Sequence, residues 1–175
     1  GAFSIVIEAV AEPLARRIPL IIDESDGELS SFPAALKLGY AGVSSKNCKG
    51  FYKSILNAAR VARLGAGHFM SAEDLTTWPG VSVQQDLALV SLLGMTHVER
   101  NAHHFIDGMS FAPEAEQRAF FAAHPDLYDK KDGKPARLKA VGGKLALASL
   151  DVPGFAVGAD MDFGSMVPMA KGAPT

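Results

Sequence analysis

Short apolar runs that end abruptly in charged clusters recur along this chain. Leu20-Ile21-Ile22 is β-branched and apolar, and it stops at Asp23-Glu24-Ser25-Asp26-Gly27, a polar turn cluster. That contrast predicts a buried strand over Leu20–Ile22 running into an acidic loop. Ser30 to Leu38 follows with Ser31 as N-cap, Pro33 in the first turn and Ala34, Ala35 and Leu38 at helical spacing, and Gly39 closes it. The cycle repeats with a strand over Gly42–Ser44, the polar stretch Lys46-Asn47-Cys48-Lys49-Gly50 and an amphipathic helix from Tyr52 to Leu64. A third strand over Phe69–Ser71 leads into Glu73-Asp74 and a helix from Val83 to Leu93. A fourth, His97–Glu99, runs into Arg100-Asn101-Ala102-His103-His104.

The polar residues past these four strand ends, Asp23, Lys46, Glu73 and Glu99, are 23, 27 and 26 positions apart. That step resembles a (β/α)₈ barrel, in which about 250 residues make eight units of roughly 31. The expected fold is therefore α/β, a partial TIM barrel of about strands four or five to eight, its strands parallel and adjacent in chain order. The tail has another character. After a helix from Pro113 to Ala123, the segment from Pro135 to Leu150 alternates apolar and polar residues around Gly142-Gly143, which predicts a β-hairpin. Residues 151–175 are rich in Gly, Pro and Met and are expected to wrap the surface. Residues 1–134 are thus read as the partial barrel, and 135–175 as hairpin and tail of the same unit.

Composition narrows the partners. With 175 residues, 48% hydrophobic, the chain can bury a core without a disulfide or metal staple. A formal charge of −2, with no block of like charge, gives no footprint for nucleic acid or an acidic membrane. Cys48 stands alone, the N-terminus shows no secretion-signal pattern, and no apolar run nears the ~20 residues that span a bilayer. A soluble, cytoplasmic protein is the expectation.

Chemistry is expected where the charged clusters lie, because in parallel α/β folds the loops at the C-terminal strand ends converge on one mouth. Two readings fit Asp23 and Glu24: oxygen ligands for a divalent ion such as Mg²⁺, or solvated loop acids. Lys46 reads either as a general base whose pKa a nearby cation lowers or as an exposed loop lysine, and Lys49 as a surface charge. Glu73 either meets Lys46 across the mouth or caps its own loop. His103-His104 offers zinc-type ligands, but neighbouring strand residues point to opposite faces and no H-x-x-x-H spacing is present.

Taken together these segments resemble the mandelate racemase and muconate lactonizing branch of the enolase superfamily. Pro19-Leu20-Ile21-Ile22-Asp23-Glu24-Ser25 resembles that subgroup's fifth-strand motif, whose Asp is a Mg²⁺ ligand. Lys46-Asn47-Cys48-Lys49-Gly50 resembles the sixth-strand motif, whose first Lys is an acid/base, and Glu73 matches the seventh-strand glutamate. Gly142-Gly143-Lys144-Leu145 and Pro153-Gly154-Phe155-Ala156-Val157 are similar to the C-terminal hairpin that returns to a capping domain. The resemblance implies Mg²⁺-assisted removal of a proton α to a carboxylate, as in racemases, cycloisomerases and dehydratases. The implied roles are Asp23 and Glu24 on the metal and Lys46 and Glu73 in catalysis, with a small carboxylate as substrate.

Departures accompany it. No segment corresponds to the second-strand lysine pair, the third-strand Asp or the capping domain. Phe3 to Glu8 reads as the fourth strand with Glu8 as ligand, or else Ile7 to Ile18 reads as the helix before strand five. The chain is accordingly expected to be inactive by itself, and to form a homo-oligomer or meet a missing barrel half. The competing readings are a non-catalytic barrel fragment or binding module, and more remotely a zinc hydrolase using His103 or His104.

Overall fold

The computed structural model describes residues 14, 17–73, 78–100 and 106–166. The expectations for Phe3–Glu8, His103-His104 and the end of the tail lie outside them. The chain divides into two compact units, one of residues 1–77 with 85–105 and the other of residues 78–84 with 106–175.

The first unit holds a parallel sheet of β1 (Ile21–Ile22), β2 (Gly42–Ser45) and β3 (Phe69–Ala72), in that order. Helix α1 (Ser31–Lys37) connects β1 to β2, and a 3₁₀ turn (Asn47–Lys49) followed by α2 (Phe51–Leu64) connects β2 to β3. The predicted strand at His97–Glu99 is present as one parallel bridge, Ala72 to Val98, with Ala72 N–H donating to His97 O at 3.0 Å and Glu99 N–H to Ala72 O at 3.0 Å. The fold is mixed α/β, and the sheet is open, with no closed barrel among the described residues.

All four residues of β2 are buried, as a central parallel strand requires. Gly42 starts it because a Cβ there would collide with the Phe69 carbonyl oxygen of β3. Ile22, Phe32, Ala35 and Val43 form the core beneath the strand ends, with Leu36, Tyr40, Val61 and Met70 against them.

Two local expectations change. Ser31 does not cap α1 in the usual sense, since its hydroxyl accepts the Glu28 N–H at 3.0 Å and so closes the preceding turn. Helix α2 is amphipathic with inverted sense at its start: Lys53, Ser54 and Asn57 are buried while Tyr52, Ile55 and Leu56 are exposed. Ser54 meets Ser45 of β2 at 2.9 Å, and Lys53 pairs with the buried Asp26 carboxylate at 3.2 Å. Specific polar partners, rather than apolar area, orient this turn of the helix.

Helix α3 (Val81–Leu92) contributes its first turn to the second unit and the rest to the first. The second unit contains α4 (Glu114–Ala123) and an antiparallel pair, β4 (Tyr128–Asp129) with β5 (Arg137–Leu138). The hairpin predicted over Pro135–Leu150 shrinks to its turn. Gly142 and Gly143 have φ of 57° and 73°, as a type I′ turn requires, but only Val141 and Lys144 pair across it. The reason is competition for backbone groups. The residues that would form the first strand are already engaged: Ala136 O accepts from Met109 N–H at 2.8 Å, Ala136 N–H donates to Gln117 Oε1 at 2.9 Å, and Lys139 N–H donates to Leu127 O at 2.8 Å. No described helix is long and apolar enough to cross a membrane.

Candidate functional site

Asp23, Lys46 and Glu73 each follow directly on the last residue of β1, β2 and β3. Strand register then decides which of their side chains meet. Ile22 lies opposite Val43, which brings Asp23 level with Ser44, and Ser45 lies opposite Ala72, which brings Glu73 level with Lys46. Residues two apart on a strand share a face, so Ser44 and Lys46 point the same way. The result is one polar cluster at the C-terminal edge of the sheet.

Lys46 is its centre. Its Nζ lies 2.6 Å from Glu73 Oε2, 3.0 Å from Glu24 Oε1 and 3.1 Å from Asp23 Oδ2, and the residue is 3% exposed. The exposed-lysine reading of Lys46 therefore fails. Lys49 joins from one 3₁₀ turn further on: its Nζ donates to Asp23 O at 2.8 Å and Ser44 Oγ at 2.7 Å, and it pairs with Asp23 Oδ1, which also accepts from the Ser44 hydroxyl. Lys49 and Ser44 were not singled out from sequence as site residues. The signal for Ser44 was available, since it stands two positions before Lys46 on the same strand. For Lys49 only the tight turn, which reverses its direction, brings it back to Asp23.

The charges in this cluster largely cancel. Burial works against the ionised form of Asp23, yet hydrogen bonds from Glu73, Lys49, Ser44 and Lys46 hold its carboxyl well below the usual range. Glu73 moves the other way, pushed up first by its hydrogen bond with Asp23 and then by burial, against the pull of Lys46. The two carboxyls thus part in acidity, Asp23 the stronger acid and Glu73 the weaker. Burial opposes the charge on Lys46, but Glu73, Glu24 and Asp23 overcome it and hold the ammonium well above the ordinary lysine range. This reverses the lowered pKa expected of a general base. As it stands Lys46 is a firmly protonated cation among acids.

Asp23, Glu24 and Glu73 each offer an oxygen within 4.8 Å of the others, a spacing that can hold a metal ion. Three carboxylate oxygens suit a hard divalent cation such as Mg²⁺, and the Lys46 ammonium already lies among them. The donor set fits the implied metal, on the condition that the ammonium gives way. His103, His104 and Glu8 fall outside the described residues.

Two supports hold the cluster in place. Asp26, 3% exposed, pairs with Lys53 of α2, and Lys53 also donates to the Asp26 carbonyl, which fixes the loop carrying Asp23 and Glu24. Burial pushes the Asp26 carboxyl up, with Lys53 opposing. Asp86 of α3 binds both the Asn47 N–H and Arg100, at the ends of the second and fourth parallel segments. Compared with known proteins, the chain finds no counterpart: no family model matches it, no curated protein matches it and no solved structure matches it.

Proposed function

We propose that this chain is a portion of an enolase-type barrel whose cluster binds Mg²⁺ and serves removal of a proton α to a carboxylate. One observation carries the reading: acid, lysine and acid stand at the ends of three successive parallel strands and converge on one point. Asp23, with Glu24 and Glu73, would hold the metal, which supplies positive charge to stabilise an enediolate. Lys46 is the acid/base. The surrounding acids hold the proton on Lys46; it gives that proton up, and can then act as a base, when charge on the carboxylates is neutralised by something other than its own ammonium. Glu73 orients Lys46. Lys49 and Ser44 keep Asp23 ionised and aimed into the cluster.

The substrate class is a small carboxylate, and the outcome racemisation, cycloisomerisation or dehydration. The barrel reading also calls for completion of the open sheet by a second copy or by further barrel strands, because an unpaired edge exposes backbone donors and acceptors. A cytoplasmic location is proposed from the lone Cys48, which gives no internal disulfide.

A second reading has its own observation. With two lysines against three acids, the cluster offsets most of its own charge without any metal. A cluster satisfied in that way suits a non-catalytic barrel module.

Calorimetric titration with Mg²⁺ separates the two. The enzyme reading expects saturable binding that Asp23→Asn weakens about tenfold or more, and deuterium wash-in at the α-carbon of a carboxylate substrate that Lys46→Ala reduces about 10²–10⁴-fold once the barrel is complete. Absence of Mg²⁺ binding at millimolar concentration leaves the non-catalytic module.

A further inference from the structure

Lys46 leads into a 3₁₀ turn, and the first N–H groups of a helical turn have no partner inside it. The Lys46 side chain at the cap position makes no capping hydrogen bond. The partner comes from far along the chain: Asn47 N–H donates to Asp86 Oδ1 of α3 at 3.1 Å, across 39 residues. The other oxygen of that carboxylate takes Arg100 Nη2 at 2.5 Å. Asp86 is 4% exposed, and all three residues belong to the first unit.

The geometry points to Asp86 as a positioning residue that clamps the Asn47 N–H and so sets the direction in which Lys46 and Lys49 leave the end of β2. A lysine has a flexible four-carbon stem whose freedom opposes a fixed ammonium position. Fixing the peptide just after Lys46 removes part of that freedom. It also holds the tight turn, in which Lys49 N–H donates to Lys46 O at 3.0 Å, and that turn is what returns Lys49 to Asp23. Arg100 orients the Asp86 carboxylate by binding the oxygen that Asn47 does not use. The functional importance of Lys46 rests on the reading given above; the clamp is a property of these side chains alone.

The test uses the full chain without metal and reads the slowly exchanging ammonium signal of Lys46 in ¹H–¹⁵N spectra, assigned by its disappearance in Lys46→Arg. Asp86→Ala is expected to abolish that signal or speed its exchange by about tenfold, while the amides of β2 and β3 keep their protection. Asp86→Asn retains an oxygen for Asn47 and is expected to keep the signal. If Asp86→Ala does not fold, Asp86→Leu combined with Arg100→Met, which removes the acceptor and its cationic partner together, decides, and it is expected to lose the signal. An unchanged signal in Asp86→Ala overturns the clamp, as does its persistence in the double variant. So does a proportional loss of sheet protection, which would make Asp86 a packing residue. Mg²⁺ titration of the wild-type sample tests the functional reading separately: no binding, with the ammonium results as expected, removes the metal-assisted chemistry and leaves the clamp standing.

Discussion

Both units bury polar side chains, but charge pairs are prominent in the first and side-chain-to-backbone bonds in the second. In the first unit charged side chains meet one another, Lys46 with three acids, Lys53 with Asp26 and Arg100 with Asp86. In the second unit buried side chains bind backbone. Gln117 bridges Ala112 O and Ala136 N–H at 2.9 Å each, the Tyr128 hydroxyl accepts from Gly80 N–H at 2.9 Å, and the His124 ring lies 3.1 Å from Ser149 O and 2.8 Å from Val157 O. The difference follows from secondary structure. Where a parallel ladder and its helices satisfy the backbone, polar side chains are left for each other; where strands are only two residues long, side chains supply the partners the backbone lacks. Charge gathers in the first setting and side-chain-to-backbone bonds in the second.

The largest effect is expected from Lys46→Met. Removing the cation leaves Asp23, Glu24 and Glu73 facing one another, and breaking a buried ion pair from one side costs about 3 kcal/mol. Hydrogen exchange at β2 and β3 and urea melts should both register it, and added Mg²⁺ should restore part of the loss by binding the folded state. A loss under about 1 kcal/mol would mean that the cluster is solvated and the charged setting is not what it seems from burial.

His124→Ala should come next, at about 2–3 kcal/mol, from lost hydrogen bonds and a cavity at a fully buried site. Its signature is local: amides from residue 149 to 158 should open first, since the ring contacts Ser149 and Val157. Gly158 packs directly beneath the ring, where a Cβ would lie 2.7 Å from the imidazole, so Gly158→Ala should reproduce the same pattern. Uniform destabilisation across residues 106–166 would argue against a single point of attachment.

The strands of the first unit and the cluster at their ends were legible in sequence for one physical reason. A buried parallel strand is a short uncharged run, and its end is marked by a sharp change, from apolar to charged at Ile22-Asp23 and from small uncharged residues to charge at Ser45-Lys46. The pairing of Lys46 with Glu73 follows from that alternation plus register. What could not be read depends on contacts between distant positions. Asp86 at Asn47 and Lys53 at Asp26 place charges on helix faces that periodicity alone would assign to solvent. The hairpin in the tail misled because Gly142-Gly143 does encode a turn, while the partners that divert residues 136–139 sit at Met109, Gln117 and Leu127.

Tyr128→Phe isolates one side-chain-to-backbone bond. The phenol is pushed up to about 12 by burial, against the Gly80 N–H and Gln84, so it stays neutral and accepts from Gly80 throughout the accessible pH range. Its removal leaves a buried N–H unpaired at a cost of about 1–2 kcal/mol, read as faster exchange at Gly80. Unaltered exchange there would show that another acceptor takes over.

The smallest effect separates the two units by pH. In the first unit Glu73 and Asp26 have raised carboxyl pKa values, Glu73 through Asp23 and burial, Asp26 through burial. A raised carboxyl contributes stability that is fully present below its unfolded value, about 4, and is lost as pH rises through the folded value. Asp23 is lowered, so its contribution is present above about 4 and is lost only in stronger acid. Lys46, held above its ordinary range, stays protonated through this window. In the second unit Asp126 is lowered, burial opposing and Ser149 prevailing, so it gains nothing on mild acidification. Going from pH 7 to 5 should therefore raise the protection factors in β2 and β3 slightly, by less than about 1 kcal/mol once the slower intrinsic exchange is corrected for. Because other groups titrate there as well, the decisive comparison is with Glu73→Gln. That variant should remove part of the gain in the first unit and leave α4 unchanged. If the wild type and Glu73→Gln follow the same curve, Glu73 is not the group that takes up the proton.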